Sequence, residues 1–214
     1  MKQLVWLRND LRVSDNPALH AACLKGPTVC VFLVDEVQWE RHDMSPWRIA
    51  LMLRNVDFVS KQLASLGIEL LVRICNTFDQ APEAIVNCAR QLNATCVSFN
   101  AEIALNEQRR DARVEAALAK SGLACERHHN FTHLPPGTVT KPDGSGYTVF
   151  TPFKKRWLAH PLAVPSAPLP PPDAQGPPVQ PARTPDQVGA IKKSFGANFW
   201  DAGEVAAQQC LTAF

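Results

Sequence analysis

The sequence predicts an α/β fold: a five-stranded, mostly parallel sheet with helices on both faces. Three observations point to it. Short runs such as residues 4–7 (LVWL) and 28–34 (TVCVFLV) are continuously apolar rather than alternating, the pattern of strands covered on both sides. Longer segments with helical periodicity stand between them. Chain breakers, namely Lys25-Gly26-Pro27, Gly67 and Ser121-Gly122, mark the junctions. Strand–helix repeats of this kind build a parallel sheet with right-handed crossovers.

The elements follow in order. Residues 4–7 form the first strand, and residues 8–16 a charged loop without the glycines of a phosphate cradle. Asp15 or Asn16 caps a helix that has Pro17 in its first turn and runs to about Leu24. Residues 28–34 are the second strand and 35–44 a polar loop. Ser45-Pro46 opens a helix to Leu66, stopped by Gly67, with Ile49, Leu53, Val56, Leu63 and Leu66 on one apolar face and Leu51 and Phe58 beside it. Residues 68–74 (IELLVRI) are the third strand. Thr77 with Gln80 reads as a capping box for a helix to about Leu92. Residues 95–99 are the fourth strand. Asn106 starts a helix over 107–120, and residues 123–127 form a short fifth strand. Glu102, Glu107, Asp111 and Glu115, with Arg110 and Arg113, read as a solvated charged face.

Composition narrows the class. The chain has 214 residues, 46% of them hydrophobic, and a formal net charge of +2, so it can bury a real core and is less basic than a dedicated DNA-binding domain. The first residues do not read as a secretory signal, and no apolar run is long enough to span a membrane, so a cytoplasmic protein without membrane partners is expected. The 7 cysteines are scattered, with no C-x-x-C spacing, and read as reduced core thiols. His128, His129 and His133 cluster, but no cysteine or carboxylate at ligand spacing joins them, and no metal is expected. Neither a nucleophile elbow nor a P-loop is present. Ten prolines between 161 and 185 make a stiff, extended linker. A helical stretch over 204–211 follows, and the sequence reads as a fragment whose next domain lies beyond Phe214.

Three separated motifs, WLRNDLRVSDNPAL, DMSPWR and YTVFTPFKKRWL, resemble the amino-terminal half of the DNA photolyase and cryptochrome family. The resemblance covers essentially the whole chain and specifies the combination and order of the motifs. It implies a Rossmann-like α/β antenna domain over 1–130, a loop-rich interdomain linker over 131–190 with a short helix near 152–159, and the start of a helical FAD domain over 191–214. It implies that FAD and damaged DNA are bound through that helical domain, where light-excited reduced FAD passes an electron to a pyrimidine dimer. The family's FAD residues lie beyond Phe214, so the 214-residue fragment alone is expected to be catalytically inactive, with no catalytic residue of its own. Asn106-Glu107 and His42 resemble the folate-type members, closest to bacterial class I enzymes, and imply methenyltetrahydrofolate as antenna cofactor. A pterin edge carries two neighbouring donors that one carboxylate such as Glu107 can accept. A cryptochrome-type photoreceptor, or a stand-alone cofactor-binding α/β module, is the alternative. Lys154-Lys155-Arg156 beside Trp157 reads as a basic face of an interdomain helix, and Arg8, Asp10 and Arg12 as ion-paired structural residues.

Overall fold

The structure, a computed structural model, describes residues 1–163, 167–183, 185 and 200–213. Five strands, β1 (Lys2–Leu7), β2 (Thr28–Val34), β3 (Glu69–Ile74), β4 (Ala94–Ala101) and β5 (Ala124–His129), form one sheet in the order β3-β2-β1-β4-β5. Every neighbouring pair is parallel, so the expected "mostly parallel" sheet is wholly so. Because β1 is central, its side chains alternate between two cores. Val5 and Leu7 join one core with residues of α1 (Pro17–Lys25) and α3 (Pro46–Ser65). Leu4 and Trp6 join the other with residues of α4 (Ala81–Gln91) and α5 (Leu105–Lys120). The continuous apolar run is thus two period-two stripes superposed.

Local chemistry sets the helix ends. Asn16, not Asp15, caps α1, accepting from the Leu19 N–H at 3.1 Å. Gly67 stops α3 as expected: it sits at φ +72°, with Gly67 N–H on Ala64 O and Ile68 N–H on Leu63 O, a Schellman closure. Gly122 closes α5 the same way. Three expected caps are absent. Ser45, expected to cap α3, makes no side-chain hydrogen bond onto its first turn. Thr77 and Gln80 make no capping box, because Pro82 fixes the first turn of α4 and the helix begins only at Ala81. Asn106 is not an N-cap either, since α5 begins at Leu105 with Ala104 before it.

The expected polar loop 35–44 contains a short helix, α2 (Glu36–Arg41), held by burial of Trp39. Phe58, beside the apolar face of α3, is 46% exposed. α6 (Phe150–Leu158) buries no residue, and α7 (Glu204–Ala213) follows near the carboxyl end. The described proline-rich residues hold one 3₁₀ turn, Pro161–Ala163, and otherwise no regular structure, and the segment is not detached. Gln175 Oε1 accepts from Thr28 N–H at 2.7 Å, and its Nε2 donates to Gly26 O at 2.9 Å. Val179 N–H donates to Ala64 O, and Ala182 N–H to Ser60 Oγ. Residues 164–166, 184, 186–199 and 214, which include parts of the expected linker and of the expected start of a helical domain, lie outside the described residues.

Candidate functional site

The sheet order reverses at β1: the chain steps outward through β2 and β3, then crosses to β4 on the other side. Loops after β1 and β4 diverge there, which is where open α/β sheets bind ligands. In this chain that crevice is filled by charge. Arg8, at the end of β1, donates from Nη1 to Asp111 Oδ1 at 2.9 Å. Arg110 Nη2 reaches Glu102 Oε2 at 2.7 Å and Asp111 Oδ1 at 2.8 Å. Both guanidinia stand against the Trp6 ring, their carbons 4.4 and 4.7 Å from its centroid. Asn100 ties the β1 loop down, donating to Asp10 Oδ2 at 2.6 Å and Asn16 Oδ1 at 2.7 Å while accepting from Ala18 N–H.

Arg8, Glu102, Arg110 and Asp111 are all buried. This corrects the solvated-face reading of Glu102, Arg110 and Asp111: Glu102 lies in the loop before α5, and within α5 Arg110 and Asp111 face inward against the strand ends. Only its outer charges behave as expected, Arg113 pairing with Asp79 and Glu115 with Arg127. Burial alone would raise the Glu102 carboxyl, but Arg8 and Arg110 outweigh it and hold it below the ordinary range. Burial also lowers Arg8, with Asp111 opposing that shift. The reading of Arg8, Asp10 and Arg12 as structural matches the geometry, for Arg12 donates to Asp15 O and Asn130 Oδ1 at 2.9 Å each.

Beside this network a cavity of about 370 Å³ opens at the carboxyl ends of β1, β2 and β4. Trp6, Phe32, Trp39 and Phe78 give it aromatic walls, and Asp35 and Arg110 lie deep in it. His42 and Glu107, far apart in sequence, both line it. Glu107 sits in the first turn of α5, half-buried, with no hydrogen-bond or ion-pair partner among the described residues. His42 is exposed and follows α2 directly. Asn106 does not line this cavity. It borders an adjoining shallow groove that shares Gln38, His42 and Phe78 with it. Sequence reasoning missed Asp35, Trp39 and Phe78 as cavity residues, because only the fold of α2 over the strand ends brings them together.

The described cysteines are all free. Burial pushes the Cys75 and Cys125 thiols up to about 12, so they stay protonated and unreactive. No group of metal-binding side chains occurs among the described residues. His129 Nε2 instead contacts Thr132 O at 2.6 Å, and the His133 ring meets Trp157 at a tilt of 54°. No described helix is long and apolar enough to cross a membrane.

Comparison with known proteins bears on what such a cavity holds. The family model for DNA photolyase matches residues 3–173. A deoxyribodipyrimidine photo-lyase of Vibrio cholerae is 36% identical over 157 residues, covering 73% of this chain and 34% of that protein. The chain therefore spans about a third of the length of such relatives. A class III photolyase from Agrobacterium tumefaciens superposes with a TM-score of 0.75 at 23% identity, covering 99% of this chain and 44% of that one. A Sulfolobus tokodaii photolyase, solved with two FAD molecules and described as implying a novel light-harvesting cofactor, gives 0.70 at 18% identity, covering 93% and 43%. At these identities the two structures speak for the fold alone.

Proposed function

This chain belongs to the DNA photolyase family, and on that premise we propose that it is the light-harvesting part of a deoxyribodipyrimidine photolyase, with methenyltetrahydrofolate as its antenna in the cavity at the strand ends. Residues 1–130 then make the antenna domain, 131–190 the connection, and 191–214 the opening of a helical domain that binds FAD and damaged DNA. When bound, the folate absorbs light and passes the excitation to that FAD.

The observation that carries this reading is Glu107. A half-buried carboxylate in a helix's first turn, unpartnered, on the wall of an aromatic cavity, is an acceptor waiting for donors. The paired N–H groups of a pterin edge supply them. A volume near 370 Å³ lies within the usual range of small-molecule sites, about 300–1,000 Å³. Aromatic walls suit a planar ring, and His42 at the rim can contact the remainder of the folate. Asn106 is placed to touch only a part of the ligand that leaves the cavity through the adjoining groove. The residues present thus fit the cofactor, and their task is to hold it rigidly, since energy transfer makes no bonds.

Absorbance titration with methenyltetrahydrofolate tests the assignment. Charged hydrogen bonds of this kind contribute about 1.5–3 kcal/mol, so Glu107→Ala should weaken binding by roughly ten- to a hundredfold. Equal affinity in parent and variant would remove Glu107 from the site. A second reading, a flavin in the same cavity, has the S. tokodaii structure behind it. FAD displacing the folate with the tighter affinity would favour that reading.

A further inference from the structure

Asp35 stands at the N-cap position of α2, where an aspartate ordinarily turns its carboxylate onto the first helical N–H groups. It makes no such bond. The residue is 6% exposed and lines the cavity, and its Oδ1 has no hydrogen-bond partner among the described residues. Trp6, 1% exposed, lines the same cavity, and its Nε1–H is equally unpartnered. A buried polar atom without a partner in a native fold calls for an explanation, and both residues line the same cavity.

The surroundings decide which form of the carboxyl belongs there. Two guanidinia, Arg8 and Arg110, line the cavity, but each is matched: Arg8 by Asp111, and Arg110 by Asp111 and Glu102. Among the described residues no unmatched buried cation remains for a third buried carboxylate. Burial pushes Asp35 up to about 6; Arg110 opposes the shift and the Glu102 carboxylate reinforces it. The neighbouring Cys75 thiol, held protonated, brings no charge, but its hydrogen bond to the Asp35 carboxylate joins Arg110 in opposing the shift. At the rim His42, Asp43 and Arg48 are exposed and Glu107 half-buried, where water and salt screen them.

We propose that Asp35 is the cavity's proton-carrying contact: as a neutral acid it donates to an acceptor atom of a bound heterocycle, which couples occupancy of the site to its proton. The proposal rests on the cavity being the chromophore site and adds a specificity rule to it. Glu107 accepts from ring donors, whereas the neutral Asp35 carboxyl offers a donor to a ring acceptor. A ligand matched to both carries donors on one edge and an acceptor on another, as pterins do. Deprotonation of Asp35 removes a donor and puts a negative charge against the ligand's acceptor, so affinity falls as pH rises past about 6.

Two measurements on the 214-residue chain and on Asp35→Asn decide it. The first is a ¹³C NMR titration of the aspartate carboxyls, with the Asp35 resonance identified by its absence from the variant. The second is methenyltetrahydrofolate affinity from about pH 5 to about pH 7.5. The expected result is an Asp35 midpoint near 6, with parent affinity flat below it and weakening about tenfold per pH unit above it. Asp35→Asn, which keeps a donor, should bind with the parent's low-pH affinity throughout. A midpoint in the ordinary carboxylate range overturns the proposal whatever the folate does. A midpoint near 6 with the same pH profile in both proteins overturns the coupling. No folate binding at any pH in either protein overturns the folate reading and, with it, the coupling to this ligand, while the NMR midpoint still decides whether Asp35 holds its proton.

Discussion

Glu102 and Asp35 are two buried acidic residues on one cavity, set in opposite states by their neighbours. Glu102 faces Arg8 and Arg110 and is held ionised. Its stabilising effect is complete above the unfolded value near 4.5 and is lost as pH falls through its lower folded value. Asp35 has the opposite sign. Its pKa is raised from 3.8 to about 6, so its neutral form stabilises the fold below about pH 4, and that contribution is lost as pH rises to about 6. At about 1.4 kcal/mol per pH unit, Asp35→Asn should gain on the order of 2–3 kcal/mol over the parent at neutral pH and little in acid. Urea denaturation at the two pH values checks this; a gain equal at both would contradict it. Asp111 is the shared acceptor of both buried arginines. Asp111→Asn should therefore cost about 3–5 kcal/mol, the penalty for breaking a buried pair and stranding its partners. A loss under about 1 kcal/mol would mean that the network is not load-sharing in this way. None of these states was legible in the sequence, where Arg110-Asp111 looks like any charged helix face. The inward turn of α5 is decided by Trp6, Phe78 and the strand ends, which lie far away in the chain.

At the scale of elements, legibility followed the locality of the cause. The strands, the Asn16 cap and the glycine stops at 67 and 122 depend on neighbours within a few residues, and they stand where the sequence puts them. The capping box at Thr77 failed for a reason also in the sequence: Pro82 was the stronger signal. α2 was missed because six residues are too few for periodicity, and it is held by burying Trp39. The described part of the proline-rich segment has little regular structure, but its seating on α3 and β2 depends on partners more than a hundred residues away in sequence, Gln175 with Thr28 among them. Gly67 is the tightest point of that seat. A Cβ there would lie 2.8 Å from the Gly176 backbone, at a φ of +72° that disfavours side chains. Gly67→Ala should cost about 1–2 kcal/mol from the left-handed backbone alone, and more through the displaced segment. Limited proteolysis should then cut within 167–183 faster than in the parent, and an unchanged rate would show the segment to be held elsewhere.

The molecule as a whole is a sheet whose reversal point has been split in two. The β1/β4 side is sealed by the Arg8–Asp111–Arg110–Glu102 cluster, and the side toward β2 is left open under α2 as a cavity. Sealing one side gives the cavity a rigid back wall, the property that a site for a light-absorbing cofactor needs most. The sequence pointed to the correct edge of the sheet, since His42 and Glu107 do meet there. It did not separate them from Asn106, because neighbours in a helix's first turn face different ways. The most direct measurement is a crystal structure of the chain grown with methenyltetrahydrofolate. The account expects the pterin within the cavity, its donor edge on the Glu107 carboxylate and an acceptor atom within hydrogen-bond reach of Asp35. A folate seated outside that cavity, or inside it with Glu107 untouched, would contradict it.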